Sequence, residues 1–318
     1  MGDSSKYEII AHSRSVNEVV DFYKEKNFWG ERSHAKDLDV PRLLIVVTAK
    51  DWDEKSGNIP VEIKKELFYR TLVPLVLYAN ELIQQERDLI LAIADKQKKG
   101  KALSSEDTSW LQSMAKKYSL QESDDLNTLT DQLLKRVDII PPSLALGQSA
   151  YESGYGTSRF AMTGNALFGQ WTYGGDGMKP EEQRKSKGDY EVAAYTWPFD
   201  SVRSYMHNLN THNAYQELRQ RRVEMRKQGK EVTGLSLADT LGSYSEKGEE
   251  YIKTLKSIIT VNGLAIADTA YLRDEPMTLL VGVEHEREVG GTETKIEQLR
   301  ASGELDRIIK SMRLEGLE

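Results

Sequence analysis

The chain has 318 residues, enough for one large domain or two of moderate size with a substantial core. Its formal net charge of −7, without a dominant basic block, argues against a nucleic-acid partner, and the absence of cysteine excludes disulfides and thiolate metal sites. His207 and His212 lack the i, i+4 spacing of a helical metal site, so neither a metal nor another cofactor is predicted.

The first half of the chain is predicted to be mainly helical. Residues 15–135 carry helical apolar patterns, except for a β-branched run at 41–49 that predicts a buried extended segment. The longest helix is predicted from 61 to about 98, with a kink at Pro74, and two shorter helices at 104–118 and 124–137. The most apolar stretch, TLVPLVLYA, is too short to cross a bilayer, and no signal peptide is visible at the start.

A glutamate at the end of the next helix has unusual surroundings. PPSLALGQSAYES predicts a helix that starts at the prolines and ends at Gly154 and Gly156, which can take positive φ. Glu152 would lie in the last turn, where the helix dipole and aromatic neighbours raise the pKa of a carboxyl group. By itself, such a glutamate is more often an ordinary surface residue near a helix cap. The alternative is a carboxylic acid able to donate a proton near neutral pH.

The remainder of the chain changes character twice. Residues 168–197 lose the helical period, and their aromatic residues and glycine-rich turns predict short antiparallel strands. Helices resume at 199–227, where the basic strip 219–227 is interpreted as a solvated helix face, and continue to about 263. After Pro276, a polar stretch leads to a final amphipathic helix, which is interpreted as an appendage.

The stretch LALGQSAYESGYGTSRFAMTGNALFGQW resembles the glucosaminidase domain of glycoside hydrolase family 73, in particular its Bax-like branch. The similarity continues through WPFDSVRSYMHNLNTHNAYQELR and reaches upstream to PVEIKKELFYRTLVPLVLYANELI, and so covers most of residues 35–270. The resemblance implies a mostly α fold, in which a lysozyme-like α+β catalytic domain with a small β lobe follows a helical region. The implied divisions are 1–138 for the helical region, 139–275 for the catalytic domain, and 276–318 for a linker and helix.

The resemblance also assigns residues to a site. The family's general acid falls on Glu152, and a tyrosine at the floor of its cleft falls on Tyr244, although Tyr244 could equally be a structural aromatic residue. The family's Asn-rich turn falls on Asn165, but Ala166 stands where many members have a second Asn. The residues expected to bind the substrate are Gln148, Tyr155, Asn165, Phe168, Trp171, Tyr173 and Tyr195.

The second carboxylate is left open by the sequence. The resemblance places it at Glu181 or Glu182, both in a charged segment that could equally be a solvated turn, and Asp176 and Asp189 are alternatives. Two carboxylates about 5–5.5 Å apart suit a retaining mechanism, whereas about 6.5–9.5 Å leaves room for an attacking water. In a third route, the substrate's own 2-acetamido group attacks.

The predicted function is cleavage of the β-1,4 bond next to N-acetylglucosamine in peptidoglycan or a related glycan. The resemblance implies the periplasm or cell envelope as the location. Two alternatives are retained: a lytic transglycosylase, in which Glu152 alone serves as acid and then base, and a non-catalytic glycan-binding or scaffold protein.

Overall fold

The computed structural model describes residues 7–13, 16–30, 38–46, 57–172, 177–179, 191–242, 244–245, 247–283 and 291–312. For residues 7–13, 282–283 and 291–295 it describes the backbone alone.

The amino-terminal part contains short strands followed by helices. Its elements are β1 (Tyr7–Ser13), α1 (Val16–Glu25), β2 (Asp39–Val40), β3 (Leu43–Ile45), α2 (Val61–Lys98), α3 (Ser105–Lys117) and α4 (Leu126–Arg136). The bounds of α2, α3 and α4 agree with the prediction to within about two residues at each end. β3 lies in the run predicted to be extended.

The central and carboxy-terminal parts follow in chain order. Their elements are α5 (Pro142–Ser153), α6 (Arg159–Gly164), β4 (Trp171–Thr172), β5 (Glu191–Val192), α7 (Pro198–Thr211), α8 (Gln216–Lys227), α9 (Gly234–Ala238), α10 (Glu249–Val261), β6 (Tyr271–Leu272), β7 (Met277–Val283), α11 (Gly291–Ala301) and α12 (Glu304–Ser311). β4 and β5 pair antiparallel, as expected for the β lobe. The predicted mostly α fold class is confirmed.

The long helix α2 is the axis on which the other parts pack. Its first half carries buried apolar residues such as Leu72 and Leu75, which join the main core beside α5 and α7. Its second half forms a smaller core with α3 and α4 around Ile90 and Leu111. α2 continues as one helix through the buried Pro74, which lies inside it.

The carboxy-terminal segment differs from the predicted appendage. β7 is the middle strand of a parallel sheet with the order β1-β7-β3, so it pairs with both amino-terminal strands. Leu279 and Leu280 of β7, together with Leu305 and Ile308 of α12, are buried in the main core. The interpretation of the final helix as an appendage was wrong, because an amphipathic pattern does not reveal which part of the chain its apolar face packs against.

The basic strip of α8 also differs from the solvated face that was predicted. Arg222 is fully buried, and its guanidinium donates to the carbonyl oxygens of Asp138 and Ile139 at 3.1 and 2.8 Å. Arg226 forms a two-pronged ion pair with the buried Asp138 carboxylate, with both distances 2.6 Å. The strip therefore fastens α8 to the end of α4.

Candidate active site

The helix that carries Glu152 is held tightly at its back and ends sharply. Gly147 of α5 faces α10, where an added Cβ would lie 3.0 Å from the side chains of Leu255 and Ile259. Gly154 caps the helix in the left-handed conformation, with φ 58°, and its N–H donates to Ala150. The predicted end of the helix at this glycine is confirmed.

Glu152 is half-buried at this end, and its carboxyl group faces a group of tyrosines. Burial raises the pKa of Glu152 from 4.5 to about 7, against the opposing effects of a hydrogen bond from Tyr251 and the charge of Lys247. Gly169, with φ 59°, passes close to the carboxyl group: a Cβ there would be 3.6 Å from Glu152 Oε2. The site therefore holds a carboxyl group that is substantially protonated at neutral pH.

Four tyrosines line the protein side of this carboxyl group. The negative charge of Glu152 contributes to a raised pKa at each of them, in addition to the larger effect of burial: Tyr205, Tyr215, Tyr244 and Tyr251. They come from α7, from the turn before α8, from the segment that leads into α10, and from α10 itself. Their rings displace water from the inner side of Glu152, which is the physical cause of its raised pKa.

Tyr244 lies near Glu152, whose charge contributes to the raised pKa of this tyrosine after the larger effects of burial and of Tyr251. Its hydroxyl donates to the carbonyl oxygen of Phe168 at 3.1 Å, and its ring stacks on Tyr251 with centroids 5.6 Å apart. The side chain is partly buried. Tyr244 thus ties the segment before α10 to the start of the β lobe.

Gln148 is fully buried, one helical turn before Glu152. Its Nε2 donates to the Tyr251 hydroxyl at 2.8 Å, and its Oε1 accepts from the Tyr205 hydroxyl at 2.6 Å. Both atoms of its amide are bonded inside the protein. The structure therefore places Gln148 behind Glu152, away from a position that would contact a sugar directly.

Three of the predicted substrate-binding residues form the frame of the β lobe. Phe168 is buried and stacks on Tyr205 with centroids 3.9 Å apart, so its ring has no free face for a sugar. Asn165 ends α6 in the left-handed conformation, and its amide donates to the Tyr195 carbonyl oxygen at 3.0 Å. The Tyr195 hydroxyl lies 2.9 Å from Gln170 Oε1.

Two other predicted residues lie at the surface of the site. Trp171 on β4 is 47% exposed. Tyr155, just after the end of α5, has φ 59° and packs edge-on against Phe68 and Tyr69. Lys65 Nζ lies 5.5 Å from the Tyr155 ring centroid. The helix α2 therefore packs against the chain just after α5.

The remaining predicted site residues fall outside the part of the chain that the structure describes. These are Tyr173, Glu181 and Glu182, with the alternatives Asp176 and Asp189. The position of a second carboxylate stays a prediction. Within the described ranges, no group of three or more His, Cys, Asp or Glu side chains could hold a metal ion, and no helix is long and apolar enough to span a membrane.

Sequence reasoning missed Tyr205 and Tyr215 and gave Tyr251 no role. Tyr205 is part of the apolar face of α7, and the sequence pattern of such a face does not distinguish a core tyrosine from one that lines a site. Lys247 was also missed, although its Nζ lies 3.2 Å from the Tyr151 hydroxyl at the edge of the site. The available sequence signal was the pair Tyr244 and Tyr251, which stand on either side of SEKGEE.

Comparisons with known proteins found one family and two similar proteins. Residues 128–264, which include every predicted site residue, match the glucosaminidase family described as mannosyl-glycoprotein endo-beta-N-acetylglucosaminidase. The chain is 34% identical over 209 residues to Protein bax of Escherichia coli (strain K12), covering 64% of this chain and 72% of that protein. Among solved structures, the catalytic domain of the autolysin Auto from Listeria monocytogenes is 20% identical, with a TM-score of 0.32, covering 58% of this chain and 96% of that one.

Proposed function

Since the chain belongs to the family of Protein bax and carries a glucosaminidase domain, we propose that it is a glycoside hydrolase acting on peptidoglycan or a related glycan. The bond cut is the β-1,4 linkage next to N-acetylglucosamine. A peptidoglycan substrate places the protein in the periplasm or elsewhere in the cell envelope.

This proposal rests mainly on the burial and the raised pKa of Glu152. Its carboxyl group is half-buried against tyrosines, and its pKa is raised to about 7. A general acid is most effective when its pKa is near the working pH, because it is then protonated and still able to release the proton. Glu152 donates that proton to the glycosidic oxygen as the bond to the sugar breaks.

The other residues supply binding and support of the cationic centre. Trp171, which is 47% exposed, and Tyr173 are the aromatic residues that bind pyranose rings. Tyr244 orients the sugar or the attacking water from the floor of the site. Glu181 or Glu182 stabilises the cationic centre or activates water, and if neither does, the substrate's acetamido group takes that role.

The test is mass spectrometry of the products released from purified peptidoglycan. Fragments with a new reducing N-acetylglucosamine end support the proposal, whereas 1,6-anhydro ends would assign lytic transglycosylation. An absence of products would favour a glycan-binding protein.

A pair of matched variants assigns the acid. Glu152→Gln keeps the shape and removes the proton, so hydrolysis is expected to fall by a factor of about 10³ or more. Glu86→Gln is the control. Glu86 is also buried, but it is bonded to Lys117, the last residue of α3, and to Tyr118, which follows α3. Near-native turnover of Glu152→Gln would contradict the assignment.

A further inference from the structure

A buried chain of hydrogen bonds leads to the Tyr251 hydroxyl, beside the carboxyl group of Glu152. It starts at the Tyr205 hydroxyl, which donates to Gln148 Oε1 at 2.6 Å, and continues from Gln148 Nε2 to the Tyr251 hydroxyl at 2.8 Å. The Tyr251 hydroxyl in turn faces the carboxyl group of Glu152 and opposes the rise of its pKa. Tyr205, Gln148 and Tyr251 are all fully buried.

The direction of this chain follows from counting donors. A tyrosine hydroxyl has one hydrogen and can also accept. Because the Tyr251 oxygen already accepts from Gln148, its single hydrogen is left for the carboxyl group of Glu152. Without the amide donor, the Tyr251 hydroxyl could instead turn and donate to another acceptor.

This arrangement determines which oxygen of Glu152 carries the acid proton. An oxygen of Glu152 that accepts from Tyr251 is the one that does not carry the acid proton. The proton is then kept on the other oxygen of the carboxyl group. The same hydrogen bond favours the ionised form after the proton has been given away.

Packing alone does not account for a glutamine at this position. A buried amide costs free energy unless its donors and acceptor are bonded, and an apolar side chain of similar size would fill the space without that cost. The Gln148 amide lies between two hydroxyls that belong to different helices, α7 and α10. Both of its bonds are short enough to fix the orientation of the amide.

We propose that Gln148 is a positioning residue. Tyr205 holds its amide in place, and the amide directs the hydroxyl hydrogen of Tyr251 to Glu152. This contact fixes the orientation of the Glu152 carboxyl group. This inference rests on the proposed function for its kinetic consequence, but not for its structural one. The carboxyl group of Glu152 titrates whether or not the protein cleaves a glycan.

The first experiment measures the pKa of Glu152 by carboxyl ¹³C NMR in the parent and in Gln148→Met, which keeps the size of the side chain. We expect an upward shift in Gln148→Met, because the Tyr251 hydrogen is no longer held on the carboxylate. Asn80→Leu is the matched control: Asn80 is a buried amide bonded through both atoms to the backbone of Ile140, at 2.8 and 3.0 Å. An unchanged Glu152 titration in Gln148→Met would overturn the proposal.

The second experiment is a double-mutant cycle on hydrolysis. Gln148→Met and Tyr251→Phe should each lower kcat by about ten- to a hundredfold through misplacement of the acid, and each should move the alkaline limb of the pH profile upward. The double variant should be no worse than Tyr251→Phe alone, because both act through one hydrogen. Losses that multiply would show that Gln148 acts independently and would overturn the proposal.

A milder variant covers the case in which Gln148→Met does not fold. Tyr205→Phe removes only the hydroxyl at the far end of the chain and keeps the ring stacked on Phe168. It frees the amide to turn its oxygen towards Tyr251, so the Glu152 pKa should rise in this variant too, and a titration like that of the parent would contradict the chain. If the Glu152 pKa shifts in the variants but the parent cleaves no glycan, the positioning role stands and the proposed function fails. If the parent cleaves glycan but the pKa does not shift, the proposed function stands and the positioning role fails.

Discussion

Glu152 shows how much of an acid's chemistry depends on residues distant in sequence. The end of α5 at Gly154 and the place of Glu152 in its last turn could be predicted from local sequence. The largest cause of the raised pKa is burial, to which tyrosines from α7 and α10 contribute, and these lie about 50 to 100 residues further along the chain. No local pattern indicates that those rings meet at one carboxyl group.

The raised pKa of Glu152 has a stability consequence that can be measured without a substrate. The folded protein holds the proton up to about pH 7, whereas the unfolded chain releases it near 4.5, so raising the pH between these values favours unfolding. Glu152→Gln removes this penalty. It should therefore gain stability relative to the parent as pH rises from 4.5 to 7, by on the order of 3 kcal/mol, and the gain should be constant above pH 7.

Urea unfolding at pH 4, 6 and 8 measures this difference. The gain should be smallest at pH 4, where the carboxyl group is protonated in both states. A pH-independent difference between the two proteins would mean that Glu152 titrates like a solvent-exposed glutamate.

Tyr244→Phe tests whether the floor tyrosine acts in the reaction. The substitution removes the hydroxyl that donates to the Phe168 carbonyl oxygen and keeps the ring on Tyr251. We expect a moderate loss of kcat and a loss of stability of about 1 kcal/mol, the typical value of one hydrogen bond. Turnover and thermal unfolding are measured together, and unfolding of the variant at the assay temperature would make Tyr244 a structural residue.

At the scale of elements, a buried ionic cluster joins the end of α4 to α8. Asp138 is buried and faces three arginines, Arg87, Arg222 and Arg226, at 3.7, 3.4 and 2.6 Å. These charges hold the pKa of Asp138 below its usual value despite its burial. The cluster positions the chain immediately before α5, and therefore the helix that carries Glu152.

Asp138→Asn should destabilise the protein strongly. It leaves the fully buried Arg222 without its counter-charge, a change that typically costs about 3–5 kcal/mol. Asp95→Asn is the control, because the Asp95–Lys99 ion pair is exposed and its loss should change stability little. Urea unfolding at neutral pH compares the two, and equal effects would show that the buried cluster contributes no more than a surface pair.

The basic strip illustrates why such a cluster is not predictable. RQRRVEMRK has the composition of a solvated helix, and only the position of Asp138 eighty-four residues before Arg222 gives it a buried partner. By contrast, α3 could be predicted closely, since its capping box is local: Asp107 N–H donates to Ser104 Oγ at 3.1 Å. A hydrogen bond between residues close in sequence can be predicted from a local pattern, whereas an ion pair between distant residues cannot.

A second carboxylate is predicted in the sequence between β4 and β5, and kinetics can assign it. Glu181→Gln and Glu182→Gln should be made separately and together, with turnover and thermal stability measured for each. We expect the double variant to lose most activity while its unfolding temperature stays near that of the parent. If it cleaves as well as the parent, catalysis rests on Glu152 with the substrate's acetamido group, or with Asp176 or Asp189.

At the scale of the whole molecule, the two ends of the chain belong to one core. The sheet places β7 between β1 and β3, and the main core includes Tyr23 near one end and Met312 near the other. A division at residue 276, with a polar stretch after it, was predicted from the sequence. The apolar run MTLLVGV that precedes this stretch is the strand, and its parallel partners could not be identified without the fold.

This arrangement predicts that the carboxy-terminal segment is required for stability. Leu279→Ala removes a fully buried side chain from the middle strand, and large-to-small changes of this kind cost about 2–5 kcal/mol. Leu91→Ala, on the 43% exposed Leu91 of α2, is the matched control and should change stability little.

Deletion of residues 276–318 should have a larger effect than either, because it removes the strand to which β1 and β3 are hydrogen-bonded and exposes the apolar face under α12. Thermal unfolding followed by circular dichroism and by tryptophan fluorescence measures all three, and Trp197 reports on the main core. If the segment were an appendage, the truncated chain would unfold within a few degrees of the parent, and that result would contradict the single core.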